Sequence, residues 1–289
     1  MKKSTPYLLL VPALLFTMFV LVYPLVQNLI NSFCDVSMMR GNQGWVGFRN
    51  YERIFNDDLF WLSFRNTALY AIVGTLLALF VGLSFALLLN LKLGKIGSVM
   101  SFLYTIPWVI SPVVAGFAWK WILNDRFGIV NHWLSSAGIV ANGTSWLGNP
   151  HWALACVMLA RIWQFYPFAM VMFLAGLQTI PQEQYEAAAV DGATMIRRFF
   201  HITLPNLRSV GSVLLVLGVI WSFNDFNMVF VMTRGGPMNT SMVLPVLVRE
   251  LSFVHFDLGR GSALSIIVFA LLVTLSLIYL KVIARRDTA

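Results

Sequence analysis

Gln178-Thr-Ile-Pro-Gln-Glu-Gln-Tyr-Glu-Ala-Ala-Ala-Val-Asp-Gly-Ala-Thr-Met-Ile-Arg-Arg-Phe-Phe-His-Ile-Thr-Leu-Pro-Asn206 is the longest segment between two apolar runs that carries both acids and bases. Its local chemistry predicts a short helix, a turn and a second short helix. Pro181 suits a first helical turn, where its missing N–H would be unpaired anyway. Glu183 and Glu186 sit early in that helix, where the dipole favours anions. Tyr185 to Val190 is Ala-rich and helix-prone. Gly192 stops the helix by taking positive φ, and Pro205 is expected to end the second piece.

The runs on either side decide the class. Of 289 residues, 58% are hydrophobic and only 11% charged, and the mean hydropathy is +0.76. Soluble domains carry about 25% charge, so this chain has too little polar surface to face water all round. It reads as an all-α integral membrane protein. The net charge of +8 does not point to nucleic acid, because the bases cluster at the ends of apolar runs, as in membrane proteins. Cys34 and Cys156 show no paired spacing, so neither a disulfide framework nor a structural zinc site is expected.

Six spans are predicted, at about 7–33, 64–89, 98–123, 152–177, 209–232 and 260–280, within one transmembrane domain covering 1–289. The first run, after Lys2 and Lys3, is too long for a cleaved signal peptide, whose apolar core is about 7–15 residues. Residues 34–62 read as a loop plus a short surface helix ending near Trp61. The second span carries Gly74, Ala78, Gly82 and Ala86, a small-residue ridge that lets helices approach closely in lipid. Lys92 and Lys95 mark the next turn, and Pro107 and Pro112 predict a kink in the third span, whose freed carbonyls must face protein or water. Residues 124–151 read as loop, residues 240–258 as a partly amphipathic segment with Arg249, Glu250 and Asp257, and Lys281, Arg285 and Arg286 follow the sixth span. Lys and Arg are about twice as dense on the side holding both termini and the 178–206 loop, which places that side in the cytoplasm.

Several activities are excluded on sequence. There is no G-x-x-x-x-G-K-[ST], so ATP is not expected to bind this chain through a P-loop. H-E-x-x-H and G-x-S-x-G are absent, and His132, His151, His201 and His255 are dispersed, which argues against a metal site or a catalytic centre.

Glu186-Ala187-Ala188, three residues, Gly192, nine residues, then Ile202-x-Leu204-Pro205 fits E-A-A-x3-G-x9-I-x-L-P without a gap. This resembles the signature loop of permease subunits of bacterial ABC importers. Leu177-Gln178-x-Ile180-Pro181, Asp191-Gly192-Ala193, Arg197-Arg198-Phe199-Phe200, Gly235-Gly236-Pro237 and Val46-Gly47-Phe48-x-Asn50-Tyr51 resemble its carbohydrate branch, which contains maltose and glycerol-phosphate permeases. The resemblance covers essentially the whole chain. It implies a type I importer permease fold in the bacterial inner membrane, with no catalytic residue and no cofactor on this chain. It also implies partners: a second permease, two ATPase subunits carrying ATP and Mg2+, and a periplasmic or lipid-anchored solute-binding protein. Glu186, Ala187, Ala188, Asp191, Gly192, Arg197, Arg198, Phe200 and Pro205 would then form the element that couples to the ATPase. The cargo implied is a sugar or sugar derivative. A permease for another solute is the alternative within the family. Outside it the alternative is a secondary carrier or channel, for which coupling-ion sites and inverted repeats are not seen.

A solute path is expected on the fourth and fifth spans. Gly218, Trp221, Ser222 and Asp225 are expected to share one face of the fifth helix. An ionised Asp225 in an apolar span costs roughly 2.5–3.5 kcal/mol, so it must meet a cavity or a partner. The resemblance implies solute contacts at these positions and at Gln164, Phe165 and Phe168, with an acid at Asp225 where the family has Asn. Trp108, Phe165, Phe168 and Trp221 offer faces for stacking on a sugar. Arg161 shares a face with Gln164 and Phe168 and has two readings, an ion pair with Asp225 or a contact to an anionic solute; the pair is favoured because unpaired buried charge is expensive.

Overall fold

The computed structural model describes residues 5–91 and 94–284. Lys2, Lys3, Lys92, Arg285, Arg286 and the side chain of Lys95 lie outside what it describes. Along the chain run α1 (Thr5–Thr17), a π turn at Met18–Val22, α2 (Tyr23–Ser32), and the antiparallel strands β1 (Cys34–Ser37) and β2 (Gly41–Trp45). Next come α3 (Arg49–Phe55), α4 (Asp58–Leu89), α5 (Gly94–Val109), α6 (Pro112–Ile122), α7 (Ile129–Ser136), α8 (Ala153–Gln178), α9 (Gln182–Val190) and α10 (Met195–Arg198). A π turn at Phe199–Thr203 leads into α11 (Leu204–Phe223), followed by α12 (Asn227–Met232), α13 (Leu244–Arg249), a π turn at Glu250–Val254, and α14 (Leu258–Ala284). Among the described residues five helices are long and apolar enough to cross a membrane, or six if the bent pair formed by Ile96–Val109 and Pro112–Ile122 is one broken span.

The structure corrects several boundaries. The fifth span does not run over 209–232. Its helix is continuous from Met195 to Phe223 and then breaks before α12. Pro205 therefore does not end a separate short helix. It lies in the first turn of α11, directly after a π turn. A π turn shifts the hydrogen-bond register, and this lets the helix pass a residue that has no N–H. The kink expected in the third span is a break with a bend of 98° between α5 and α6. The 34–62 region contains a hairpin, and α4 begins at Asp58, ahead of the predicted Phe64. The 124–151 loop contains α7.

The chain divides into two compact units, Met1–Trp61 with Leu244–Leu277, and Leu62–Val243 with Ile278–Ala289. In the first, polar side chains fasten the hairpin. Asn50 Nδ2 donates to the carbonyls of Ser32 and Cys34, both at 2.9 Å, and Arg49 meets Asp35 at 3.0 Å. Arg260 meets Asp57 at 3.3 Å. The apolar side chains of Leu15, Phe16, Phe19 and Leu21, by contrast, are exposed.

In the second unit the small-residue ridge of α4 packs on α8. A Cβ at Gly82 would lie 2.7 Å from Ala169 Cβ and 2.9 Å from the backbone of Met170 and Tyr166. Ala78 and Ala86 are buried beside Phe165, Ala169, Met170 and Phe173. The two backbones approach so closely that only glycine fits.

Candidate functional site

Two regions of the second unit hold the residues singled out above. The first is the centre of α8, where two other helices break. Between α5 and α6 the chain turns at Ile110 and Ser111, and Pro112 has no N–H to continue a ladder. Gln164 Nε2 donates to the carbonyl of Ile110 at 2.9 Å. Gln164 is buried, so its amide is spent on the break.

The other break follows α11. Asn224 N and Asp225 N donate back to Trp221 O and Ser222 O, both at 3.2 Å, and close the helix. Asp225 thus lies outside the helix, not on the common face expected for it. Its Oδ1 accepts the N–H of Met228 at 3.2 Å, in the first turn of α12, as a capping carboxylate does. Its Oδ2 accepts the hydroxyl of Tyr70 at 2.6 Å and lies 3.6 Å from Arg161 Nε. Both side chains of this ion pair are 11% exposed. The Arg161 guanidinium also lies 4.8 Å from the centre of the Phe165 ring. Tyr70 was missed on sequence. Its hydroxyl is one of several in that apolar run, with Thr67, Thr75 and Ser84, so nothing local marked it as the partner of Asp225.

Gly218 does not line open space. A Cβ there would overlap Thr75 Cγ2 and come within 3.1 Å of the Phe165 ring. Ser222 is buried, and its hydroxyl donates to the carbonyl of Gly218 at 2.7 Å. What remains open is aromatic. Trp108 at the end of α5 and Trp221 near the end of α11 are 47% and 41% exposed. Phe168 lies between them, 5.3 Å from each ring, and Phe165 closes the wall at 5.9 Å from Trp221. Stacking on a ring face requires such half-open aromatic walls.

The second region is the segment from α9 to the π turn before α11. Gly192 has φ +72° and no atom near a would-be Cβ, so it is selected by backbone conformation and not by crowding. Thr194 Oγ1 caps α10 by accepting the N–H of Arg197. Glu186, Ala187, Asp191, Gly192, Arg197, Phe200 and Pro205 are exposed, and Ala188 and Arg198 are half-buried. The apolar side chains here also point outward, with Val190 at 89%, Met195 at 79% and Ile196 at 72% exposure. A cleft of about 380 Å³ is lined by Ala188, Asp191, Ala193, Arg197, Arg198, His201 and Ile202. Arg198 Nε is buried there without a hydrogen-bond acceptor among the described residues. An unspent donor beside exposed apolar knobs has the form of an unfilled protein interface. Among the described residues no cluster of three or more His, Cys, Asp or Glu that could hold a metal ion is found.

A bundle of apolar spans with two internal breaks, a closed polar centre and a protruding amphipathic loop defines a helical membrane transport component. Residues 74–287 match the family described as the binding-protein-dependent transport system inner membrane component, and the chain belongs to it. It is a multi-pass inner-membrane protein. The sulfoquinovosyl glycerol transport system permease protein of Agrobacterium fabrum is 38% identical to it over 97% of this chain and 90% of that protein. The trehalose/maltose transport system permease protein of Thermococcus litoralis is 36% identical, covering 97% and 94%. The fold matches a chain in the crystal structure of a bacterial ABC transporter involved in the import of the acidic polysaccharide alginate. The TM-score is 0.84 at 22% identity, covering 98% of this chain and 96% of that one. The expected type I importer permease fold is therefore present.

Proposed function

We propose that this chain is the transmembrane permease subunit of an ATP-driven, binding-protein-dependent importer for a sugar or sugar derivative. The observation that carries the reading is the outward-facing loop, with its E-A-A pattern, its glycine at φ +72° and its exposed Val190, Met195 and Ile196. The loop and both termini face the cytoplasm, where Glu186, Arg197 and Arg198 offer charges and the apolar knobs offer buried area to an ATPase subunit. Two such ATPases hold ATP and Mg2+ and do the hydrolysis, while this chain carries out no bond chemistry. A second permease completes the path, and a periplasmic or lipid-anchored binding protein delivers the solute. Closure of the ATPases on ATP draws the loops together and turns the spans from inward-open to outward-open, and hydrolysis resets them.

The sugar class is supported by the similarity to permeases named for sulfoquinovosyl glycerol and for trehalose/maltose. The wall formed by Trp108, Phe165, Phe168 and Trp221 fits it, because sugar rings present C–H faces to aromatic rings. Arg161 and Asp225 neutralise each other beside that wall, which suits a path with little net charge.

The complete importer, purified with its partner ATPase and binding protein, should hydrolyse ATP faster when the binding protein is loaded. Vesicles containing it should accumulate at least one member of a panel of neutral and acidic sugars. Absence of any ATPase from the purified complex, with uptake driven by an ion gradient instead, would overturn the reading in favour of a secondary carrier.

A further inference from the structure

We propose that Arg161 and Gln164 are positioning residues that pin both helix breaks to one face of α8, so that α6, α12 and the centre of α8 form a single gate body. Residues three apart on a helix share a face. Each of these two holds a different break. Gln164 takes the freed carbonyl of Ile110 ahead of α6, and Arg161 takes the carboxylate that caps α12. Tyr70 of α4 donates to the same carboxylate oxygen that faces Arg161, while the other oxygen accepts the N–H of Met228.

The two segments beyond the breaks are also tied directly to each other. A Cβ at Gly116 on α6 would lie 3.0 Å from Val231 Cγ1 and 3.7 Å from Met228 Sδ on α12. Lys120 Nζ of α6 donates to the carbonyl of Val231 at 3.4 Å, near the C-terminal end of α12. Trp119 of α6 meets Trp163 of α8 edge-on at 5.9 Å. Helix pieces joined in this way move together, and α5 and α11 leave the body at the pinned connections 110–111 and 224–226, so bending is expected on the far side of those points. Broken helices at membrane depth are tolerated where protein buries them or where they line a path. Trp108 and Trp221 stand immediately before the two breaks, so the hinges and the aromatic wall share one place. The gate body would thus lie where the solute must pass. The inference rests on the transport reading for its purpose, but not for its geometry.

Two measurements test it. In the full chain with Cys34 and Cys156 replaced by Ala, spin labels at V114C on α6 and N227C on α12 report the distance between the two pieces. The account expects a single narrow distribution, kept in R161K and broadened at least twofold in R161Q and in Q164L. A distribution as narrow in both R161Q and Q164L as in the parent would overturn it. This measurement needs no ATPase, so it stands even if the importer reading fails. Then, in the complete importer, the G116C/V231C disulfide should leave stimulated ATP hydrolysis within about twofold of the reduced form, because it joins parts that already move together. A disulfide that stops the cycle and is relieved by reduction would show that α6 and α12 separate during transport, and would overturn the single-body account. The disulfide keeps Arg161 and Gln164 in place, so it tests the idea even where R161Q does not fold. In R161Q that does fold, basal hydrolysis should rise several-fold and stimulation should vanish at unchanged ATPase content; a merely structural arginine would leave their ratio alone.

Discussion

The centre of α8 and the α9–α10 loop are both rich in polar and charged side chains, yet they use them in opposite ways. At the centre of α8 most polar groups are satisfied inside the chain: Gln164 on Ile110, Tyr70 on Asp225 and Ser222 on Gly218 by hydrogen bonds, and Arg161 on Asp225 by charge alone, its Nε at 3.6 Å making no hydrogen bond among the described residues. In the loop, Glu186, Asp191 and Arg197 face outward together with Val190, Met195 and Ile196. In low-dielectric surroundings an unpaired charge is too costly to keep, so polarity there is paired internally. On a protruding loop a polar group costs little, and exposed apolar surface is what needs a reason. Residues at the first region hold this chain's own shape, whereas those at the second are available to another protein.

That contrast can be broken by mutation. Asp225→Ala should have the largest effect on stability, on the order of 3–5 kcal/mol, because it strands Arg161; thermal unfolding of the purified chain in detergent would read it, and an unchanged midpoint would mean the pair is solvated. Tyr70→Phe removes one hydrogen bond to that carboxylate and should cost about 1.5–3 kcal/mol. Gly218→Ala should cost about 1–3 kcal/mol by overpacking against Thr75 and Phe165, with the same assay as check. Gly192→Ala should cost only about 1–2 kcal/mol, the strain of a side chain at positive φ. Glu186→Ala, at an exposed position, should leave unfolding unchanged within about 0.5 kcal/mol while weakening ATPase binding. If Glu186→Ala destabilised the chain as much as Asp225→Ala, the division between the two regions would fail.

Much of this was legible in the residues. The apolar runs announced the spans, and the Gly74–Ala86 ridge announced the close packing of α4, which Gly82 achieves against α8. The loop motif was readable because each of its parts has a local job, such as the positive φ of Gly192. The site at the breaks was less so. Ser222-Phe-Asn-Asp-Phe-Asn227 is a polar dip within 209–232, but a dip alone does not show that the helix stops at Phe223 and leaves Asp225 outside. Pro112 signalled a kink, but whether a kink becomes a bend of 98° depends on what takes the freed carbonyl, and Gln164 is 54 residues away in sequence. The partnership of Tyr70 with Asp225 spans 155 residues and has no local signature at all. The hairpin was obscured because β2 is Gly41-Asn-Gln-Gly-Trp45, poor in strand-forming residues. Ser222 and Gly218, expected along the path, turned out to be buried against α11 itself and against α4 and α8.

The central claim is that the outward-facing loop is the seat of an ATPase. The direct measurement is the affinity of the ATPase subunit that co-purifies with the importer for the permease held in nanodiscs, compared between the natural chain and Gly192→Trp. Saturable binding to the natural chain is expected, with at least a tenfold loss in the variant, at equal membrane yield and with stability lowered by no more than the strain of about 1–2 kcal/mol expected of Gly192→Ala. Equal affinity for both, or no binding to the natural chain, would contradict it.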